Sequence, residues 1–126
     1  MTTVLLVEDS LTETELLSCY LRQAGLAVVS VTNGEEAQLK LQMHNPDLVL
    51  LDVILPGQSG FELCRKLKTS SKTRHIPVVI CSTKDTEADK LWGSMLGADA
   101  YLPKPVDSKE LITLVLRLTA IHTRGL

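Results

Sequence analysis

The sequence lacks any apolar run long enough to span a bilayer. Its first apolar stretch is interrupted by Glu8 and Asp9 after only a few residues, so no secretory leader and no membrane insertion are expected. It also lacks a large excess of charge. A net charge of −2 and a pI near 5.9 give no electrostatic case for binding nucleic acid or an anionic membrane surface. Cysteine is scarce and odd in number: Cys19, Cys64 and Cys81 are widely spaced within apolar segments, which argues against a disulfide framework or a thiolate metal site and fits a cytoplasmic location. No linker, internal repeat or low-complexity segment divides the chain, so one domain over residues 1–126 is expected, long enough to bury a single core.

Phosphate-binding glycine loops are missing as well. There is no Gly-x-x-x-x-Gly-Lys-Ser/Thr, and the first apolar run is followed by Glu8 and Asp9, which would repel a pyrophosphate, instead of by a glycine-rich turn. What the chain does contain is five short apolar runs, Val4 to Val7, Ala27 to Val31, Leu48 to Leu51, Val78 to Cys81 and Ala100 to Leu102. They read as strands, and the first, third and fourth are apolar throughout, as in central strands covered on both faces. The segments between them have helical spacing, for example Leu17, Leu21 and Ala24 with Leu16 and Tyr20, or Leu111, Val115 and Leu118 with Leu114. Ser10 with Glu13, Asn33 with Glu36, and Asp107 with Glu110 have the spacing of helix N-terminal capping pairs, and Gly25 suits a helix C-terminus. Five alternations of strand and helix predict an α/β fold, a doubly wound five-stranded parallel sheet flanked by five helices.

In such folds ligands bind beyond the carboxyl ends of the strands. The residues at those positions are Glu8 and Asp9, Asp52, Ser82 with Thr83, and Lys104. Three crowded carboxylates repel one another unless a cation lies among them, and hard oxygen donors suit Mg²⁺ or Mn²⁺. Asp52 beside such a cation is placed to act as a nucleophile toward a phosphoryl donor, with Lys104 and the Ser82 hydroxyl neutralising or donating to other phosphoryl oxygens. Each residue also has a plainer reading: an acidic pair favouring a helix N-terminus, a turn serine, a solvated loop lysine. Their joint placement after four separate strands is what favours the phosphoryl site.

These residues and their surroundings resemble the receiver domains of bacterial response regulators, the CheY-like, flavodoxin-like fold. The resemblance rests on Val-Glu-Asp-Ser at 7–10, Leu-Asp-Val-Ile-Leu-Pro-Gly-Gln-Ser-Gly-Phe-Glu at 51–62, Pro-Val-Val-Ile-Cys-Ser-Thr at 77–83, and Gly-Ala-Asp-Ala-Tyr-Leu-Pro-Lys-Pro at 97–105. It implies that Glu8, Asp9 and Asp52 supply metal carboxylates, that the Ile54 backbone carbonyl adds a ligand, and that Asp52 accepts the phosphoryl group from a histidine kinase. It further implies that Ser82 and Tyr101 form a switch pair acting on the face made by the fourth helix, fifth strand and fifth helix, where a downstream protein target binds. The Lys104–Pro105 bond is expected to be cis.

Departures from the commonest pattern are Ser59 before the loop glycine, and Thr83 after the switch hydroxyl. Ile54 and Lys84 flank the approach of water, where they would influence phosphoryl lifetime. The stretch 89–93 followed by 97–101 is similar to regulators of pilus-type chemosensory clusters that control twitching motility or phototaxis. Trp92 reads either as a partner anchor on the fourth helix or as core packing beside Leu91, Met95 and Leu96. His44, His75 and His122 share no metal-like spacing and are expected at the surface, so the donor histidine should belong to another protein. The chain ends soon after the fifth helix, and output is therefore expected through binding, with no enzyme turnover beyond self-phosphorylation and self-dephosphorylation. Two competing readings remain: a small doubly wound phosphotransfer enzyme, although Ile54 stands where a dehalogenase-type phosphatase has its second Asp, and a phosphate-independent interaction module.

Overall fold

The computed structural model describes residues 1–124, and side chains as far as residue 120; the surface position expected for His122 lies outside the described side chains. Five strands, β1 (Thr3–Val7), β2 (Ala27–Val31), β3 (Leu48–Leu51), β4 (Val78–Ser82) and β5 (Ala100–Pro103), alternate with α1 (Leu11–Gln23), α2 (Gly34–Met43), α3 (Gly60–Thr69), α4 (Glu87–Met95) and α5 (Ser108–Arg124). All strand pairs are parallel, in the order β2-β1-β3-β4-β5. The three continuously apolar runs are thus the three inner strands. The edge strands β2 and β5 carry the more exposed residues, such as Ser30 and Pro103.

Period-two alternation splits the core between the two faces of the sheet. Val4 and Leu6 of β1 pack with Leu17 and Leu21 of α1 and with Leu111, Leu114 and Val115 of α5. Leu5 and Val7 pack on the other face with Ala37 of α2 and with Leu63, Cys64 and Leu67 of α3. The α1 stripe is narrower than its spacing predicts. Leu17, Ser18 and Leu21 are buried, while Leu16 is exposed and Ala24 has become the C-cap, because the helix stops at Gln23 and Gly25 takes a positive φ of 84°.

The helix starts follow the capping residues. The side chains of Ser10, Asn33 and Asp107 accept from the backbone N–H groups of Glu13, Glu36 and Glu110. Ser59 has the same task at α3, where its Oγ accepts from Glu62 N–H at 3.2 Å. Cys19, Cys64 and Cys81 are all free thiols, Cys19 exposed and the other two buried. Among the described residues no helix is long and apolar enough to cross a membrane.

Candidate functional site

Parallel strands bring all their carboxyl ends to one edge of the sheet, and the backbone ladder continues one residue past several of them. Glu8 N–H donates to Val31 O at 3.0 Å, Asp52 N–H to Val7 O at 3.1 Å, and Lys104 N–H to Ser82 O at 3.1 Å. Each chemistry-bearing residue is therefore fixed by its strand neighbour before its side chain makes any contact.

The side chains then converge on one ammonium. Lys104 Nζ lies 2.8 Å from Asp52 Oδ2 and bonds Glu8 Oε1, and the three side chains are 7%, 8% and 3% exposed. Glu8 Oε2 accepts from Ser10 N–H at 3.0 Å, and Asp52 Oδ1 from Ile54 N–H at 3.0 Å. A third carboxylate, Glu13 Oε2, stands 3.9 Å from the same ammonium.

Burial dominates the electrostatics of Glu8. It raises the carboxyl above its ordinary value despite the bonds from Lys104 and Ser10, and the Asp52 charge adds to the rise. For Lys104, burial alone would lower the pKa; the bonds to Asp52 and Glu8 outweigh it, and the ammonium is held well above its ordinary value. Two buried carboxylates share one cation, so this inner cluster carries one uncompensated negative charge.

Asp9 is brought to the same edge but not into the cluster. Its side chain is exposed and makes no hydrogen bond or ion pair among the described residues. No group of three His, Cys, Asp or Glu side chains among the described residues is drawn together as a finished metal cage. Lys104 takes one oxygen each of Glu8 and Asp52, yet the donor set fits a hard divalent cation: Glu8, Asp9 and Asp52 offer only oxygen, and the excess negative charge favours one. Ile54 puts its backbone beside Asp52 and its side chain into solvent.

Ser82 is fully buried at the end of β4, and its Oγ accepts from Lys84 N–H at 3.2 Å. Tyr101 is half-buried on β5, and its hydroxyl donates to the Lys84 carbonyl. The Tyr101 ring lies over Gly93 of α4, where a Cβ would stand 3.0 Å from ring Cδ2. The Lys84 ammonium pairs with Asp89 at 3.2 Å, so this cation is tied to the N-terminus of α4. Asp89 also closes a reciprocal capping box with Thr86.

Trp92 is 49% exposed and stands outside both core clusters, next to the exposed Leu91 and Met95. The core reading of this side chain is thereby corrected: α4 buries Gly93 against the sheet, so its larger apolar residues turn outward. His44 and His75 are exposed, and the Lys104–Pro105 bond is cis.

Sequence reasoning read Glu13 only as a helix-capping partner and did not single out Asp89 as a partner of Lys84. Glu13 had a usable signal, its place in the first turn of the helix that follows Glu8 and Asp9. Gly60 was seen as a loop glycine without its reason: a Cβ there would overlap the Asp52 carbonyl oxygen and crowd Val53 Cα.

The family model for the response regulator receiver domain matches residues 4–116. Protein PilH of Pseudomonas aeruginosa is 40% identical over 115 residues, covering 91% of this chain and 95% of that protein. The chain spans about half the length of further relatives that it matches at 37–39% identity. Among solved structures, the chemotaxis response regulator CheY4 of Vibrio cholerae superposes with a TM-score of 0.86 at 30% identity, covering 94% of this chain and 98% of that one. The receiver domain of sensor histidine kinase PA1611 from Pseudomonas aeruginosa, described with a magnesium ion coordinated in its active site cleft, gives 0.87 at 25% identity with the same coverage.

Proposed function

The chain belongs to the response regulator receiver domain family, and on that premise we propose that it works as a single receiver domain that takes a phosphoryl group onto Asp52 from a histidine kinase. The observation that carries this reading is the buried Asp52–Lys104 pair at 2.8 Å with Glu8 on the same ammonium. A carboxylate so placed is a preorganised nucleophile whose developing phosphoryl charge meets a cation already in position.

Glu8, Asp9 and Asp52 would hold Mg²⁺ or Mn²⁺, with the Ile54 carbonyl as a further ligand. When bound, the cation offsets repulsion between the Asp52 carboxylate and the incoming phosphoryl oxygens. An Asp52 oxygen bonds to phosphorus as the bond from phosphorus to the donor histidine nitrogen breaks. Lys104 pairs with one phosphoryl oxygen and the Ser82 hydroxyl donates to another. That movement of Ser82 gives up its bond from Lys84 N–H, and Lys84 in turn holds Tyr101, so the change passes to the face formed by α4, β5 and α5. A downstream protein binds there, with the exposed Leu91, Trp92 and Met95 supporting α4 as its apolar anchor strip.

In this reading the protein is a phosphoacceptor that hydrolyses its own phosphoryl group and turns over no separate substrate. The likeness to PilH over nearly its whole length supports a place in a pilus-type chemosensory pathway controlling motility in the cytoplasm. Incubation with acetyl phosphate and Mg²⁺ followed by intact-mass measurement should add one phosphoryl group to the wild type and none to Asp52→Asn. Labelling that survives in Asp52→Asn, or turnover of an unrelated phosphoester, would overturn the assignment.

A further inference from the structure

Glu13 also reaches toward Lys104, although the phosphoryl transfer itself needs nothing from it. Glu13 lies in the first turn of α1, where its N–H is held by Ser10 Oγ, and its carboxylate is about one-third exposed at 3.9 Å from Lys104 Nζ. That is outside hydrogen-bond length, while Glu8 and Asp52 both bond the ammonium directly. Glu8 and Asp52 are also the two residues with a second demand on their oxygens, since a divalent cation at this site needs them both. As they turn toward such a cation, the buried ammonium loses part of its compensation, and an uncompensated buried charge is costly. Glu13 is the carboxylate within 4.0 Å of Lys104 that has no such second demand.

We propose that Glu13 is a positioning residue of this site, a reserve counter-ion that takes up the Lys104 ammonium when Glu8 and Asp52 give their oxygens to a divalent cation. The proposal rests on the phosphoacceptor reading of Asp52. It assigns Glu13 no direct bond to the cation: the residue acts through Lys104, lowering the cost of admitting the metal and keeping the ammonium at the mouth of the site.

The test is isothermal titration of Mg²⁺ into the whole chain. Glu13→Gln should weaken Mg²⁺ binding about three- to fivefold, the scale of a partly exposed ion pair. Glu15→Gln, the same charge change at an exposed position of α1, should leave the affinity unaltered. In a Lys104→Met background, Glu13→Gln should cause no further loss, which separates action through Lys104 from a direct pull on the metal. Glu13→Asp keeps the charge but shortens the reach, and should weaken binding as Glu13→Gln does. Wild-type affinity in Glu13→Gln, or a loss that persists in full without Lys104, would overturn the proposal. Absence of Mg²⁺ binding in the wild type would bring down the reading of the site itself, and this proposal with it.

Discussion

Tyr101 donates its hydroxyl hydrogen to the backbone carbonyl of Lys84, the same residue whose N–H donates to Ser82. One loop residue therefore touches both members of the expected switch pair. Its ammonium reaches a third point, Asp89 in the capping box of α4. In the proposed switch, a displacement of the Ser82 hydroxyl would be felt by the backbone that holds the aromatic ring and by the start of the helix that carries the exposed Trp92.

The Tyr101 phenol gives this arrangement a pH signature. Burial, with the nearby Asp89, Asp52 and Asp85 charges, pushes it up to about 12 from an ordinary value of 10.0. The folded state thus holds the proton more tightly than the unfolded state, so this contribution to stability is present below pH 10 and is lost as pH rises toward 12. Denaturant titration across that window should show a smaller alkaline loss for Tyr101→Phe than for the wild type. Equal losses would show that the phenol is not protected.

Removal of Lys104 should be far more damaging than removal of Asp52. Lys104→Met leaves Glu8 and Asp52 buried without their counter-charge and is expected to cost about 3–5 kcal/mol at neutral pH. Glu8 already binds its proton more tightly in the fold than at its ordinary 4.5, so stability from that proton is present at low pH and lost as pH rises through the folded value. Lowering the pH should accordingly restore part of the Lys104→Met deficit, as read by urea unfolding. Asp52→Asn instead leaves one carboxylate for one ammonium. Without metal it should be as stable as wild type or more so, by about 1 kcal/mol.

Gly60→Ala tests the packing beneath Asp52. The added methyl would overlap the Asp52 carbonyl and must displace the backbone that aims the carboxylate. A cost of about 1–3 kcal/mol is expected from overpacking, together with slower labelling by acetyl phosphate. Unchanged stability and unchanged labelling would refute this packing argument.

Thiol reactivity should single out one cysteine. Burial pushes Cys64 up to about 11 and Cys81 up to about 12, while Cys19 is exposed on α1. Native protein should consume one equivalent of dithionitrobenzoate promptly and the remaining two only on unfolding. Cys19→Ser should abolish the prompt phase.

Much of this is legible in the sequence. The strand runs are right to within a residue at each end, because continuous apolar stretches such as Leu48–Leu51 have little use except between two helix layers. The helix starts were readable because Ser10, Asn33 and Asp107 act through hydrogen bonds only three residues long. Glu8, Asp52, Ser82 and Lys104 could be placed together because a parallel sheet puts every strand end on one edge. Contacts that depend on side-chain reach were not legible. Whether Lys84 finds Asp89, and whether Trp92 faces in or out, depends on the rotation of α4 about its axis. That rotation is set by Gly93 packing under Tyr101, a relation between positions on two different elements.

That packing has one more consequence. The berth of the Tyr101 ring is floored by a residue with no side chain, so the aromatic and the helix are in register only while nothing protrudes at position 93. The exposed Leu91 and Met95 lie on the reverse side of the same helix, with Trp92 on its flank. On the docking face proposed above, the outside of α4 is therefore levelled from within by an empty space, and a single methyl group there would shim the helix and tilt that surface without touching it.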